Sequence, residues 1–245
     1  LPFEGTGVLI DDLNEVPLYR RNGSVLFFAE GLTSYKSNTQ FSNNTFSKHS
    51  YYFLTEAEGD DNAPLQFGTL DQASSQATET SIVTAHALLN NETCVWYGGG
   101  RNFYDSNDLQ SGHTFKIKLP GNITTSDVQV AYDVTGASVG SSSYFTITDA
   151  DTQKQYAKQN LGSTSEGEEA RGYHSSFKAQ FGTEAKLKIQ TPAAGKLNYL
   201  YLSYQQALSV ANTTTFSGNA QDPATFVISD ADANTRVWQI GDAQN

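Results

Sequence analysis

The sequence of 245 residues holds a single cysteine, Cys94, and no methionine. One thiol can close no intrachain disulfide and supplies no cysteine-rich zinc site, so the disulfide-stapled class of small secreted domains is excluded. A chain without methionine is expected to be a mature or excised piece, or one whose methionines have dropped out at short junctions. Basic residues are scarce as well: 15 Lys and Arg stand against 26 Asp and Glu, a net charge of −11, and no stretch gathers Lys or Arg. Phosphate-backbone binding needs a basic surface that releases counterions, so nucleic acid is not an expected partner. No apolar run nears the roughly 18 to 20 residues of a membrane span, and Leu1 opens into a polar loop rather than a signal peptide. The expectation is an exported chain, periplasmic or at the cell surface, with its targeting segment upstream.

What the sequence does contain is material for sheets. Hydrophobic residues make up 38% and aromatics 12%, including 13 Tyr and 14 Phe, enough for packed cores rather than a disordered chain. Phe115, Ile117 and Leu119 alternate with Lys116 and Lys118, and Val128, Val130, Tyr132 and Val134 repeat the period of two. That period belongs to half-buried antiparallel strands. Phe145 with Ile147, Leu187 with Ile189, and Leu200, Leu202 and Tyr204 continue it, with Gly136–Ser143 and Gly162–Gly172 reading as surface loops. The predicted class is all-β, built of antiparallel β-sandwich modules that include a jelly-roll-like sandwich of roughly eight strands. Three parts are expected: an N-terminal β module over 1–105, the sandwich over 106–206, and a strand pair over 207–245 leading toward a further domain. In the first part strands are expected at Val25–Ala29, Tyr51–Thr55 and Ile82–Leu89; in the last, at Thr225–Ile228 and Arg236–Ile240. No repeat of 20 to 50 residues is visible, which removes solenoids and propellers.

Chemistry-bearing patterns are few. Cys94 lies in the β-rich run Thr93–Tyr97, where a free cysteine acts as a small buried hydrophobe rather than a nucleophile. His49, His86, His113 and His174 are scattered, without an HExxH pair, and no Gly-x-Ser-x-Gly elbow occurs. Asp230-Ala231-Asp232-Ala233-Asn234 alternates oxygen ligands but lacks the glycine and distal glutamate of a calcium loop, so an Asx-type turn is the simpler reading; Glu56–Asn62 reads as a solvated turn. Gly98-Gly99-Gly100 lacks the Lys and Ser/Thr of a phosphate loop. The Asn-x-Ser/Thr triplets at Asn22, Asn43, Asn91, Asn122 and Asn212 matter only in a host that glycosylates. No catalytic residue, cofactor or metal ligand is therefore expected. The one ligand site weighed is an aromatic platform of Trp96, Tyr97, Phe103 and Tyr104 stacking on a sugar, against the plainer alternative that aromatics in strands are core.

Several stretches together resemble a known family. Ile10-Asp11-Asp12-Leu13-Asn14-Glu15, the strand-like Gly23–Gly31, and His49–Thr55 resemble the region upstream of the peptidase domain in PorU-like proteins. Val95-Trp96-Tyr97-Gly98, Asn198–Tyr204 and Arg236–Asp242 follow in the same order. Those proteins are gingipain-related, C25-type cysteine peptidases that act as sortases of the type IX secretion system in Bacteroidetes. The resemblance implies a non-catalytic N-terminal β region that supports or positions a peptidase domain beyond Asn245, in protein secretion and cell-surface attachment. It implies that domain as the partner, together with other secretion-system or outer-membrane proteins. Gln239 and Gly241 depart from the acidic and threonine positions of the family motif. The rival reading is a cell-surface module binding glycans or proteins on a sandwich face, since sandwiches host many functions.

Overall fold

The computed structural model describes residues 15–44, 47, 49–54, 65–67, 78–96, 102–137, 140–141, 143–163, 167–212, 215–217 and 224–240. Among these there is no helix, and so none long and apolar enough to cross a membrane. In chain order the strands are β1 (Leu18–Arg21), β2 (Ser24–Phe27), β3 (Thr33–Tyr35), β4 (Phe41–Asn43), β5 (Thr78–Thr80), β6 (Ile82–Leu89), β7 (Cys94–Val95) and β8 (Phe103–Tyr104). There follow β9 (His113–Lys118), β10 (Val128–Gly136), β11 (Tyr144–Asp149), β12 (Gln155–Asn160), β13 (Arg171–Ala179), β14 (Glu184–Gln190), β15 (Gly195–Ala207) and β16 (Ala224–Phe226).

The chain divides into two compact units, one of residues 1–34, 43–74 and 233–245, the other of 35–42 and 75–232. In the first, β1 and β2 form an antiparallel ribbon closed by Asn22-Gly23, with φ of 50° and 77°. Two successive left-handed residues make the turn whose twist matches that of the strands, and only Asn and Gly adopt it cheaply. The expected strand at Tyr51–Thr55 is not formed over the described residues 51–54, which join no strand ladder and are held by Tyr52 donating to the Glu30 carbonyl at 3.2 Å, with Tyr51, Phe53 and Leu54 more than 70% exposed. Nor is Arg236–Ile240 a strand: Trp238 instead stacks on Phe67 with centroids 4.8 Å apart and tilts against Tyr19 at 5.6 Å. Strand propensity is realised only where a neighbouring edge accepts the ladder.

The second unit is the sandwich. Its first sheet has the order β13-β10-β15-β6 and its second β12-β11-β14-β9, every pairing antiparallel. Counted along the chain, these eight strands read 6-3-8-1 and 5-4-7-2, the order of a jelly roll. The sandwich takes its first strand, β6, from within the stretch 1–105 set apart in the sequence, because Val83, Ala85, Ala87 and Leu89 face its core. First and last strands lie side by side, with Ile82 opposite Ala207. The inward residues are those that alternate in the sequence: Phe115 and Ile117, Val128 to Val134, Phe145 and Ile147, Ala185 to Ile189, and Leu197 to Tyr204. Val130, Phe145, Leu187 and Leu202 have no exposed surface, and each such side chain contributes about 1.5–3 kcal/mol by leaving water. At one end of the unit, β16 pairs parallel to β5, and Phe216 rests against Phe226 with centroids 4.8 Å apart.

Candidate functional site on the outer sandwich face

Period-two alternation sends every second residue of the first sheet outward. From β13 these are Gly172, His174, Ser176 and Lys178, and from β10 Gln129, Ala131, Asp133 and Thr135. From β15 they are Tyr199, Tyr201 and Ser203, with His86 and Leu88 beside them on β6. The turn-containing segment Tyr35–Ser42 lies over the β15 and β6 half of this face. Tyr201 donates its hydroxyl to the Ser37 carbonyl at 2.6 Å and lies 2.9 Å from Nδ1 of His86. A phenol has one proton and a carbonyl can only accept, so His86 carries hydrogen on Nδ1 and donates it to the Tyr201 oxygen. Ser203 adds a bond to Asn38 Oδ1 at 3.0 Å. The Tyr35 ring stacks on His86 at 4.5 Å and lies parallel to Tyr201 at 5.6 Å, while Phe41 meets Tyr199 edge-on at 5.0 Å. Burial lowers the His86 imidazole pKa and raises the Tyr35 phenol; Tyr201 is pushed up to about 12 by burial and then by Tyr35.

On the β10 and β13 half, Gly172, His174, Ser176 and Lys178 of β13 are exposed, while on β10 Ala131 and Thr135 are buried and Gln129 and Asp133 half-buried. Its middle is Asp133, directly opposite both His174 and Tyr199. The register shifts between Asp133 and Val134, leaving Asn198 as the extra residue of a bulge on β15. Bulges re-aim side chains, and this one brings the Asn198 amide onto Asp133 Oδ2 at 3.1 Å. Burial raises the Asp133 carboxyl above the usual carboxylate range, against the lowering effects of Asn198 and His174. Beyond it, Thr135 donates to the Tyr104 hydroxyl at 3.5 Å.

Of the four aromatics weighed as a platform, three lie among the described residues. Trp96 and Tyr104 meet edge to face with centroids 6.2 Å apart. Tyr104 is buried and Trp96 half-buried, whereas Phe103, the next residue of β8, is 45% exposed. Tyr97 lies outside the described residues. Below them Asp105 is 4% exposed and accepts from the Asn91 amide at 2.8 Å and from the Asn107 backbone and side chain at 2.8 and 2.7 Å. Burial raises its carboxyl, but those bonds and the charge of His113 outweigh it and hold the group below its usual range. The Cys94 thiol is half-buried and donates to the Asp105 carbonyl at 3.5 Å, a contact with no base in it. Asp230 adopts a φ of 59° and its carboxylate accepts from the Ser209 hydroxyl at 3.0 Å, a tie between distant parts of the chain rather than the local bond of an Asx-type turn; Glu56–Asn62 lies outside the described residues. Among the described residues no three His, Cys, Asp or Glu side chains are grouped to hold a metal ion. Asn122 is buried with its amide on the Phe181 and Gly182 carbonyls, so its glycosylation triplet is a structural joint.

Two groupings escaped the sequence. The Asp133 cluster draws on residues far apart in the chain and depends on a bulge. On the second sheet, Lys116 faces Lys186, with Lys118 and Lys188 one step along their strands. Asp151 pairs with Lys186 at 2.8 Å and Glu184 sits opposite Lys118.

No protein-family model matches the chain, and no curated protein matches it. Among solved structures it is similar to dimeric latent PorU from Porphyromonas gingivalis. The TM-score is 0.74 at 21% identity, over 95% of this chain and 24% of that one. At that identity the likeness shows the fold, and the chain spans only 24% of that protein's length. A carbohydrate-binding module of Cellvibrio mixtus lichenase 5A, solved with cellotriose, overlaps 54% of this chain and 99% of the module. Its TM-score is 0.30 at 14% identity, which carries no argument.

Proposed function

We propose that this chain is the non-catalytic β region of a longer, exported PorU-like protein, and that it supports or positions a gingipain-related peptidase domain in secretion and surface attachment. The observation that carries the reading is the likeness to PorU along 95% of this chain, set against 24% of the other. The environment of Cys94 agrees, since its thiol meets a backbone carbonyl instead of an imidazole. The test is to read the gene beyond Asn245 and to assay the purified chain for peptidase activity. A following α/β pattern carrying His and Cys, with an inert β region, is the expected result; the absence of that pattern, or cleavage by this chain alone, overturns it.

A second reading, a surface module that binds glycans or proteins, is favoured by one observation. The sandwich keeps a half-buried carboxylate, Asp133, beside the exposed residues of β13, where burial works against its charge. Groups held in an unfavourable protonation environment concentrate at functional sites.

A further inference from the structure

We propose that the outer face of the first sheet holds a binding site for a neutral glycan, with the Asp133–Asn198 carboxylate–amide pair reading sugar hydroxyls and Tyr199 supplying the stacking ring. The inference deepens the second reading by naming its site and ligand class, and it stands or falls independently of the supporting role.

Sugar recognition needs acceptors and donors fixed side by side, together with an apolar surface for the C–H face of the ring. Asp133 and Asn198 provide the first. One carboxylate oxygen is tied to the Asn198 amide, while Oδ1 has no donor among the described residues. The tie fixes the carboxylate's orientation, so the remaining oxygen is presented without further loss of side-chain freedom. Tyr199 provides the second: it lies directly across from Asp133, half-buried, with its own orientation set by the edge of Phe41. Its phenol pKa is raised by burial and by the charge of Asp133, which places the two groups within each other's field.

Access comes from Gly172. A methyl group built there would stand 3.2 Å from Thr135 Oγ1 and 3.9 Å from Asp133 Oδ1. Thr135 itself is buried against Tyr104, so what the missing side chain leaves room for is an approach to Asp133 Oδ1 from the β13 side, and a glycine inside a strand marks such an approach. His174, exposed and opposite Asp133, adds a hydrogen-bonding group at the rim. Tyr35–Ser42, seated over the β15 half, supplies Phe41 on the far side of Tyr199.

Charge selects the ligand class. A net charge of −11 and a carboxylate at the centre disfavour acidic polymers. Neutral hydroxyls donate readily to a carboxylate, whereas a peptide would have to bring a cation to the same point.

The full chain is titrated with neutral and acidic oligosaccharides on an array, and hits are mapped by amide chemical shifts. The expected outcome is binding confined to neutral glycans, with shifts centred on Gly172, His174 and Tyr199. Asp133→Ala should weaken it about tenfold or more, the equivalent of one charge-assisted hydrogen bond. Tyr144→Ala, which removes an exposed ring on the opposite sheet, should leave it within about twofold. His174→Ala, at an exposed position where misfolding is not expected, should weaken it to a lesser degree. Binding only to acidic glycans, shifts centred elsewhere, affinity unchanged in both Asp133→Ala and His174→Ala, or no binding on the array would each overturn the proposal.

Discussion

Removal of one oxygen atom, Tyr201→Phe, tests how Tyr35–Ser42 is held. Tyr201 is fully buried and its hydroxyl serves both the Ser37 carbonyl and the His86 ring. The substitution leaves the ring and its parallel stacking on Tyr35 in place, so no cavity forms. Two hydrogen bonds at about 1 kcal/mol each, plus the cost of two stranded partners, give an expected loss of about 2–3 kcal/mol. Tyr201→Ala, which also deletes the ring, should cost about 3–5 kcal/mol. The two tryptophans make the assay specific. Trp96 belongs to the sandwich unit and Trp238 to the other, so urea unfolding followed by fluorescence in a Trp238→Phe background reports the sandwich. Ser203→Ala removes the neighbouring anchor to Asn38. Because both residues hold one segment, the double variant should lose less than the sum, by about 0.5 kcal/mol or more. The alkaline limb supplies a second reading. The phenol is raised from its ordinary 10 to about 12. Its contribution is therefore complete below the unfolded value and is lost as pH climbs toward the folded one, so the wild-type advantage over Tyr201→Phe shrinks across that window. A loss below about 0.5 kcal/mol at neutral pH, or strict additivity with Ser203→Ala, would refute the reasoning.

Other perturbations follow from the same geometry. Asp105→Ala should cost about 2–3 kcal/mol at neutral pH, because three donors lose their acceptor. The Asp105 carboxyl is depressed, so this advantage exists above the unfolded carboxylate value and fades as pH falls through the folded one, as thermal melts across an acid series would register. Asp133 behaves oppositely: its raised carboxyl makes wild type lose stability as pH rises from the unfolded value through the folded one, with His174 and Tyr199 facing it. Asp133→Asn should therefore be at least as stable as wild type near neutrality, the gap closing in acid. Leu187→Ala, at a fully buried site, should cost about 3–5 kcal/mol in urea titration. Lys116→Ser removes a like-charge pair with Lys186 and should stabilise by about 0.2–1 kcal/mol, less at high salt.

The centre of the sandwich was legible in the sequence because its strands bury one face and solvate the other. β9, β10, β11, β14 and β15 stand where Phe115, Val130, Phe145, Leu187 and Leu202 alternate with polar residues. Of the eight sandwich strands two were not foreseen, β12 and β13, and both are sheet edges. An edge strand buries less, so Gln155–Asn160 and Arg171–Ala179 show only scattered inward residues, Tyr156, Tyr173 and Phe177, among polar ones. The reverse error occurred at Tyr51–Leu54 and Arg236–Ile240, where apolar alternation meets no partner edge among the described residues. The Asp133 cluster was beyond sequence reasoning, because only the pairing register and the Asn198 bulge bring 133, 172, 174 and 198–199 to one spot.

The adjacency of β6 and β15 has a topological corollary. With Ile82 and Ala207 paired, the polypeptide is delivered to the sandwich and taken away from it at neighbouring points, roughly 5 Å apart. A body wired this way can be spliced into a host polypeptide like a bead on a loop, with little displacement of whatever flanks it. Closing 82 to 207 with a short linker and opening the polypeptide at a surface turn should likewise yield a permuted sandwich that folds.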